Sequence, residues 1–411
     1  MLRNLADWLA HIEQLHPHAM EPGLERVRIV AHRLGLLPVF APLITVAGTN
    51  GKGSCLALME HLARGQGRRT GVFTSPHLFR FNERIRVDGA DVSDETLVDA
   101  LATIDAARGE ISLTYFEFAT LAALLVFARA EVDLVLLEVG LGGRLDAVNI
   151  ADPDVAVITS VGLDHTEWLG DDRDTIGLEK LGIARPGRPL VYGETDMPAS
   201  IATRVAEQDI PLWRAGERFG VDAGGLYWWQ QGQARFAPVE TAVLGRDNLA
   251  TAAQALVLAG VETTLEALGE AAGLQWPGRA QYIERDGVAW YLDVGHNEEA
   301  LTRFRRALPT APRGQTRVVA AMRVDKPARR ALYGFVPEVD HWYLAGLPGY
   351  RGAGPEALRS ILPEPVQAEL FPDPVDAVEA AQAAAAPGDR VLVLGSFVTV
   401  AAALEVLRET P

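Results

Sequence analysis

Residues 43–54 constrain the fold of this chain more than any other stretch. They read Leu-Ile-Thr-Val-Ala-Gly-Thr-Asn-Gly-Lys-Gly-Ser, a mostly apolar, partly β-branched run that is broken by glycines. The run predicts a buried strand, the glycines predict a turn, and residues 56–62 predict the start of a helix. At such a turn the backbone N–H groups and the helix N-terminus bind an anion, Lys52 adds a point charge, and Ser54 can reach a magnesium ion. The stretch therefore predicts a phosphate-binding loop.

The match to the general P-loop pattern is imperfect. The first glycine of that pattern would fall on Val46, and Gly53 separates Lys52 from Ser54. On spacing alone, an ordinary glycine turn stays open as the alternative.

Composition limits the class of protein. A chain of 411 residues is long for one hydrophobic core, so we expect two domains. The net charge of −16 argues against non-specific binding to nucleic acid or to an anionic membrane. The amino terminus carries charges where a signal peptide needs an apolar run, and no apolar stretch approaches the roughly 20 residues of a membrane span. The single cysteine, Cys55, excludes an internal disulfide. We therefore expect a soluble, cytoplasmic protein.

Residues 133–146 form the second informative stretch. A near-continuous apolar run ends in Glu138 and is followed by glycines. Such a run is typical of a strand that is buried on both faces in a parallel sheet. A buried carboxylate needs a cation, and a magnesium ion shared with ATP phosphates is the simplest partner. Glu138 is therefore a candidate metal ligand.

Two other predicted strands also end in polar residues. Ser75 follows the strand at residues 70–73, and His165 follows the strand at residues 155–160. Open α/β sheets bind ligands beyond the carboxyl ends of their strands, so we expect Ser75, Glu138 and His165 at one edge. From the residues alone, an ordinary turn at Ser75 and a structural histidine at position 165 stay open.

A polar break at residues 284–287 marks a candidate domain boundary, after which strand and helix patterns restart. We predict a first domain over residues 1–284 and a smaller α/β domain over residues 288–411. In the second domain, residues 293–297, 323–326 and 395–400 are polar strand ends that would gather at one edge of the sheet.

Residues 48–54, 138–146, 163–166 and 293–297 together resemble the folylpolyglutamate and dihydrofolate synthase branch of the Mur ligase superfamily, and they occur in the order of that family. The resemblance extends from residue 23 to residue 397. It implies an α/β fold: a P-loop-containing central domain with a mostly parallel sheet, and a smaller, Rossmann-like C-terminal domain that binds glutamate. Two positions depart from the family pattern: Glu21 replaces the usual aspartate, and Gly295 replaces the usual alanine.

The resemblance also implies a reaction and its site. L-glutamate would be added, with ATP and two Mg²⁺ ions, to dihydropteroate and to the glutamyl tail of reduced folates through an acyl phosphate. It implies catalytic roles for Lys52, Glu138, His165 and Lys180, with Lys180 a candidate for N6-carboxylysine, and metal contacts from Ser54, Ser75, Glu138 and His165. It implies nucleotide contacts from Gly48, Thr49, Asn50, Gly51, Lys52, Gly53, Ser54, Asn248, Arg279 and Asp293. It implies substrate contacts from Met20, Glu21, Pro22, Gly23, Thr114, Tyr115, Phe116, Glu117, Leu145, Asp146, Ala147, His296 and Ser396. The family prior favours a monomer without nucleic-acid or membrane partners.

Plainer interpretations of single residues stay open at this point. Lys180 would ordinarily be a solvated surface lysine, Asn248 a helix cap, Arg279 a member of a surface ion pair and residues 20–26 a helix connector.

Other functions also stay open. An ATPase or kinase would not need the cluster around Asp293 and His296, and a non-catalytic nucleotide-binding module would not need Glu138, His165 and Lys180 together. Within the ligases, the alternatives are a monofunctional folylpolyglutamate synthase and a cell-wall amino-acid ligase. Cell-wall ligases commonly carry an additional N-terminal domain, whereas only about forty residues precede the predicted loop here.

Overall fold

The computed structural model describes residues 4–17, 21–310, 313–323, 326–347 and 352–409. The chain divides into two units, Met1–Leu274 and Gln275–Pro411. The described helices of the first unit are α1 (Leu5–Gln14), α2 (Glu25–Arg33), α3 (Lys52–Gly65), α4 (Asp94–Arg108), α5 (Tyr115–Ala130), α6 (Thr166–Leu169), α7 (Arg173–Leu181), α8 (Ala199–Glu207), α9 (Arg246–Leu258) and α10 (Leu265–Ala272). Its described strands are β1 (Leu43–Ala47), β2 (Thr70–Phe73), β3 (Ile85–Val87), β4 (Ala90–Asp91), β5 (Leu134–Glu138), β6 (Val155–Ile158), β7 (Leu190–Tyr192), β8 (Leu212–Arg214), β9 (Gly220–Asp222), β10 (Gly225–Gln230) and β11 (Gln233–Ala237).

The main sheet of the first unit has the strand order β4-β3-β2-β5-β1-β6-β7-β8. The six strands from β2 to β8 in this order are mutually parallel, and β3 and β4 add an antiparallel edge. Every residue of β1, β5 and β6 is buried, as the continuous apolar runs predict for a sheet that is covered on both faces. A separate antiparallel sheet of β9, β10 and β11 packs against α9.

Helix α5 forms much of the core of this unit, because its residues from Glu117 to Phe127 are all buried. Its N-terminus is fixed by Thr114, whose side chain accepts the N–H of Glu117 while the Glu117 side chain accepts the N–H of Thr114. This reciprocal capping box satisfies two backbone donors at a buried helix end.

The second unit is built on one mixed sheet. Its described strands are β12 (Gln281–Arg285), β13 (Val288–Asp293), β14 (Thr316–Ala320), β15 (His341–Ala345), β16 (Ala368–Phe371) and β17 (Arg390–Leu394), in the order β12-β13-β17-β14-β15-β16. Only β12 is antiparallel to its neighbour within this described sheet. The described helices are α11 (Glu298–Ala307), α12 (Lys326–Tyr333), α13 (Pro355–Ile361), α14 (Pro374–Ala384) and α15 (Phe397–Glu409). The predicted fold class, two α/β domains with mostly parallel sheets, is confirmed.

The predicted boundary at residues 284–288 differs from the observed division. Residues 284, 285 and 288 belong to β12 and β13, and the turn between these strands consists of Asp286 and Gly287, with φ values of 53° and 74°. Two residues with positive φ are typical of a tight hairpin turn. The polar break is therefore a turn inside the second unit, and the division lies before β12, between Leu274 and Gln275.

No helix among the described residues is long and apolar enough to cross a membrane.

Candidate active site

The loop between β1 and α3 has the backbone of a phosphate cradle. Helix α3 begins at Lys52, earlier than its apolar pattern predicts, so Lys52 and Ser54 lie in its first turn. Gly51 is the N-cap and has a φ of 87°, a conformation that strongly favours glycine. The Lys52 ammonium donates to the carbonyl of Gly48 over 2.9 Å. The first-turn N–H groups and this ammonium therefore lie at one end of the loop, where an anion is stabilised.

The end of β6 holds this loop in place. The Thr159 hydroxyl donates to the carbonyl of Asn50 at 2.6 Å, and the N–H of Asn50 donates to the Ser160 hydroxyl at 2.9 Å. The N–H of Thr49 donates to the Ser160 carbonyl at 2.9 Å. A Cβ at Gly48 would lie 1.9 Å from Thr159 Oγ1, so only glycine allows this approach. The loop is therefore pre-formed by contacts that local spacing does not reveal.

Glu138 ends β5 directly beside the loop. It pairs with Val46 of β1 in the parallel register, and it is 3% exposed. Its Oε2 accepts the N–H of Ser75 at 3.1 Å, and Ser75 follows β2, the other neighbour of β5. Glu138 and Ser75 are thus in contact at the carboxyl edge of the sheet, as predicted.

His165 lies beyond the end of β6, on the other side of β1. It is the N-cap of α6 with a φ of 49°, and its N–H donates to Asp164 Oδ1 at 2.8 Å. Since β2, β5, β1 and β6 are consecutive in the sheet, Ser75, Glu138, the loop and His165 follow four neighbouring strand ends. The predicted gathering of these polar residues at one edge is observed.

Lys180 is buried in α7 rather than solvated on its surface. Burial, reinforced by the charge of Lys52 and opposed by that of Asp164, lowers its pKa to about 7. The ordinary interpretation as a surface lysine is therefore wrong. At pH 7 this buried amine is therefore about half in its neutral form.

The side chains at this edge suit a divalent cation that is shared with phosphates. Among the described residues, no three His, Cys, Asp or Glu side chains come together as a self-contained metal site. Ser54, Ser75, Glu138 and His165 contribute two hydroxyls, one carboxylate and one imidazole. Mg²⁺ usually takes only one or two carboxylates from a protein and completes its shell with phosphate oxygens and water. The donor set therefore fits Mg²⁺ with a bound nucleotide.

Asn248 lies against the loop from the side of α9. The N-cap of α9 is Gly245, so the expectation of a plain helix cap at Asn248 is wrong. Its amide donates to the Leu244 carbonyl at 2.6 Å. A Cβ at Gly51 would lie 2.5 Å from Asn248 Oδ1, which places this amide next to the N-terminus of α3.

The first turn of α5 carries the predicted aromatic substrate residues. Tyr115 and Phe116 are half-buried, with ring centroids 5.7 Å from Phe81 and from Phe73, respectively. A Cβ at Gly140 would lie 2.7 Å from the Phe116 ring, so this ring lies beside the loop that follows Glu138. Two aromatic rings at the edge of the sheet can stack on a planar substrate.

Asp146 closes the loop that begins at Gly140. Its carboxylate accepts the N–H of Leu141 at 2.9 Å and the N–H of Val148 at 3.1 Å. Burial raises its pKa to about 6, against the opposing effect of these backbone donors. Leu145 next to it is exposed and Ala147 is buried. Asp146 therefore holds the backbone of this loop through these two hydrogen bonds.

The predicted substrate segment at residues 20–23 is described from Glu21 onward, and Met20 lies outside the described residues. Glu21 forms an ion pair with Arg26, while Pro22 and Gly23 lead into α2.

In the second unit, three neighbouring strands end level with one another. Asp293 of β13 and Ala320 of β14 both pair with Leu394 of β17. Asp293 accepts the N–H of Ala280 at 2.8 Å and that of Gly295 at 2.7 Å. Burial raises the pKa of Asp293, and Arg279 opposes this.

The other predicted residues of this unit lie around that edge. The Arg279 guanidinium is 5.5 Å from the Phe397 ring, and His296 is exposed. The Ser396 hydroxyl accepts the N–H of Thr399 at 3.0 Å, and Thr399 donates to the Ala321 carbonyl at 2.9 Å. The predicted gathering of the strand ends holds for these residues; positions 324 and 325 lie outside the described residues.

Comparisons with known proteins identify the family. Residues 46–259 match the Mur ligase middle domain, and residues 278–397 match the Mur ligase, glutamate ligase domain. A dihydrofolate synthase/folylpolyglutamate synthase of Escherichia coli is 42% identical over 98% of this chain and 95% of its own length. The chain belongs to the dihydrofolate synthase/folylpolyglutamate synthase family of Mur ligases.

Solved structures of this family share the whole fold. The structure of E. coli FolC in complex with DHPP and ADP has a TM-score of 0.91 at 41% identity, covering 99% of this chain and 98% of the other. A bifunctional folylpolyglutamate synthase/dihydrofolate synthase with Mn, AMPPNP and L-glutamate bound has a TM-score of 0.90 at 42% identity, with the same coverage. The family resemblance predicted from the sequence motifs is confirmed.

Two arginines of the first unit join the site without having been singled out from the sequence. Arg84 lies within 5.7 Å of the Phe81 ring and 5.6 Å of the Tyr115 ring, and it donates to His77 Nδ1 at 2.8 Å. Arg84 lies in a basic, aromatic stretch, residues 79–86, in which the sequence does not distinguish it from Arg80 and Arg86. Arg26 contacts both Glu21 and Glu117, a pairing across 91 residues that spacing cannot reveal.

Proposed function

We propose that this chain is an ATP-dependent ligase that adds L-glutamate to dihydropteroate and to the glutamyl tail of reduced folates. The observation that carries the proposal is the meeting of the loop, Ser75, Glu138 and His165 at four neighbouring strand ends. Its support is the 42% identity, over 98% of the chain, to a relative that carries both synthase names.

The nucleotide is proposed to bind at residues 48–54. The N–H groups of the loop and of the first turn of α3 bind its phosphates, and Lys52 neutralises charge on the transferred phosphoryl group. Asn248, Arg279 and Asp293 are also proposed to contact the nucleotide.

Two Mg²⁺ ions are proposed to be held by Ser54, Ser75, Glu138 and His165. When bound, they supply positive charge that stabilises the phosphoryl oxygens during transfer. Lys180 is proposed to be N6-carboxylysine, because its low pKa leaves the neutral amine that adds CO₂. The modified side chain is an anion, which removes the repulsion between Lys180 and Lys52.

The acceptor is proposed to bind against the first turn of α5, with Tyr115 and Phe116 stacking on its planar ring and with Glu21, Pro22, Gly23, Thr114, Glu117, Leu145, Asp146 and Ala147 around it. Its carboxylate attacks the γ-phosphate of ATP, which forms the acyl phosphate and releases ADP. The amine of L-glutamate then attacks the acyl carbon, which forms the amide and releases phosphate and a proton. His296 and Ser396 are proposed to orient the incoming glutamate. Water must be excluded while the acyl phosphate exists.

We further propose that the first unit binds ATP and the pteridine acceptor, that the second unit binds glutamate, and that the protein acts in the cytoplasm as a monomer. The charge of −16 opposes partners that are nucleic acid.

Phosphate release with ATP, Mg²⁺ and L-glutamate tests the proposed function. Dihydropteroate is the acceptor in one reaction and tetrahydrofolate in another, and omission of glutamate provides the control. Turnover with both acceptors, dependent on glutamate, is the expected result. Turnover with tetrahydrofolate alone narrows the activity to folylpolyglutamate synthase. Release without glutamate indicates an ATPase, and release only with a UDP-muramyl acceptor indicates a cell-wall ligase.

A further inference from the structure

One guanidinium joins two segments that are far apart in the sequence. Arg26, in the first turn of α2, contacts the Glu21 carboxylate through Nη1 and donates from Nη2 to the Glu21 carbonyl at 3.0 Å. The same Nη2 donates to Glu117 Oε1 at 3.2 Å. Arg26 is thus shared between the segment before α2 and the first turn of α5.

Glu117, one partner of Arg26, is buried, and each of its carboxylate oxygens accepts a hydrogen bond. The Glu117 side chain is 4% exposed, and its other oxygen accepts the N–H of Thr114 at 2.7 Å in the capping box. A buried carboxylate requires a positive partner, and Arg26 is the cation that it contacts among the described residues. Movement of Arg26 would therefore disturb the turn that carries Tyr115 and Phe116.

The Glu21 end is more exposed and depends on the same cation. The Glu21 side chain is 42% exposed, and its second oxygen lies 3.3 Å from Nε2 of the buried His16. Glu21 precedes Pro22 and Gly23 in a segment with no helix or strand of its own. Contacts with side chains therefore hold this segment, and Arg26 contributes two of them, one to the Glu21 carboxylate and one to the Glu21 carbonyl.

We propose that Arg26 is a positioning residue for the acceptor site: its guanidinium fixes residues 21–23 against the first turn of α5. This inference rests on the proposed function, since both segments are proposed to contact the pteridine acceptor. It adds a residue that does not itself touch the reacting atoms. A planar fork is required because two carboxylates and one carbonyl share it, and an ammonium cannot satisfy all three in the same geometry.

The decisive variant is Arg26→Met, which keeps much of the aliphatic stem and removes the fork. We expect the KM for dihydropteroate to rise about tenfold or more, because a misplaced binding segment weakens acceptor binding. The KM values for ATP and L-glutamate should change less than threefold or so, since the loop and the second unit are untouched. Arg26→Lys should recover part of the loss.

Arg129→Met is the matched control. Arg129 lies at the other end of α5, where it donates to Asp99 of α4 at 2.5 Å and to Thr103 at 3.2 Å. Arg129→Met removes an ion pair between α5 and α4 that lies away from the acceptor residues. All KM values should therefore stay at the wild-type level. An equal rise of all three KM values in Arg26→Met, or an equal effect of Arg129→Met, would overturn the positioning role.

Equilibrium binding separates this inference from the proposed ligase activity. Dihydropteroate is titrated into wild type and Arg26→Met with AMPPNP and Mg²⁺ present and without glutamate. If the wild type binds and the variant binds at least about tenfold more weakly, the positioning role stands even if no ligation is detected. Equal binding by the two proteins, or no binding by the wild type, refutes it. Arg26→Lys provides a second comparison if the methionine variant does not fold.

Discussion

Replacing Lys180 by methionine is expected to stabilise the fold while it removes the proposed activity. Burial, reinforced by Lys52, lowers the pKa of Lys180 from its ordinary 10.5 to about 7. This difference corresponds to a penalty of the order of 5 kcal/mol for keeping the ammonium in the folded chain. Methionine has a similar stem and no charge to bury. After relaxation of the surroundings we expect a gain of roughly 2 to 5 kcal/mol in the free energy of unfolding.

The pH dependence of this gain has a definite sign. The unfolded chain keeps the proton of Lys180 up to about pH 10.5, whereas the folded chain releases it near pH 7. Between these values the unfolded state binds more protons, so the stability of the wild type rises with pH. The penalty is fully present below pH 7. The advantage of Lys180→Met should therefore be largest at or below pH 7 and shrink toward pH 10.5.

Urea unfolding of both proteins between about pH 6.5 and 9.5 measures this difference. EDTA and CO₂-depleted buffer keep the amine unmodified, and a parallel series in bicarbonate reports the effect of carbamylation. Lys180 is one of only three lysines in the sequence, with Lys52 and Lys326, so ¹³C-labelled lysine resolves its titration directly. A Lys180 signal that titrates near pH 10.5, or a methionine variant no more stable at pH 7, would refute the reasoning.

Four further substitutions address the nucleotide and glutamate sites. Lys52→Ala and Glu138→Ala should each reduce ligation at least about a hundredfold with the fold retained. Phosphate release measures the activity and a melting curve checks the fold. Near-wild-type turnover in either variant contradicts the assigned site. Gly51→Ala should lower stability by about 1–2 kcal/mol and raise the KM for ATP, because an L-residue there would keep a φ of 87° and its Cβ would lie 2.5 Å from Asn248 Oδ1. His296→Ala should raise the KM for L-glutamate and leave that for ATP unchanged, which steady-state kinetics can separate.

The parts of the site that were predictable depend on strand ends. Apolar runs that end in Glu138 or in glycines are local signals, and the rule that parallel strands share a carboxyl edge then brings distant residues together. The register confirms this, since Val46 pairs with Glu138 and Ala47 with Ile158. The family could be recognised only from several such strand ends in the right order, because no single one of them is specific to the family.

The parts that were not predictable depend on packing between distant segments. Lys180 lies in a helix that the sequence predicts, yet its burial comes from the packing of that helix in the folded chain. Its low pKa follows from this burial and from the charge of Lys52, against the opposing charge of Asp164. The polar pair Asp286 and Gly287 can serve as a linker or as a hairpin turn, and only the pairing of β12 with β13 decides between them. The role proposed for Arg26 depends on its contact with Glu117, which the sequence does not reveal because the two residues are 91 positions apart.

The distribution of cations supports a chemical reason for a lysine at position 180. The chain has 38 Lys and Arg residues, and only Lys52, Lys180 and Lys326 are lysines. Arginines form the ion pairs with Glu21, Glu117 and Asp99. Arginine cannot lose its proton in a protein, whereas lysine can supply a neutral amine when it is buried. A chain that uses arginine for pairing and has a lysine at position 180, despite the expected cost in stability, has there a group whose charge can change. That is the property required for Lys180 to become an anion beside the phosphate-binding loop.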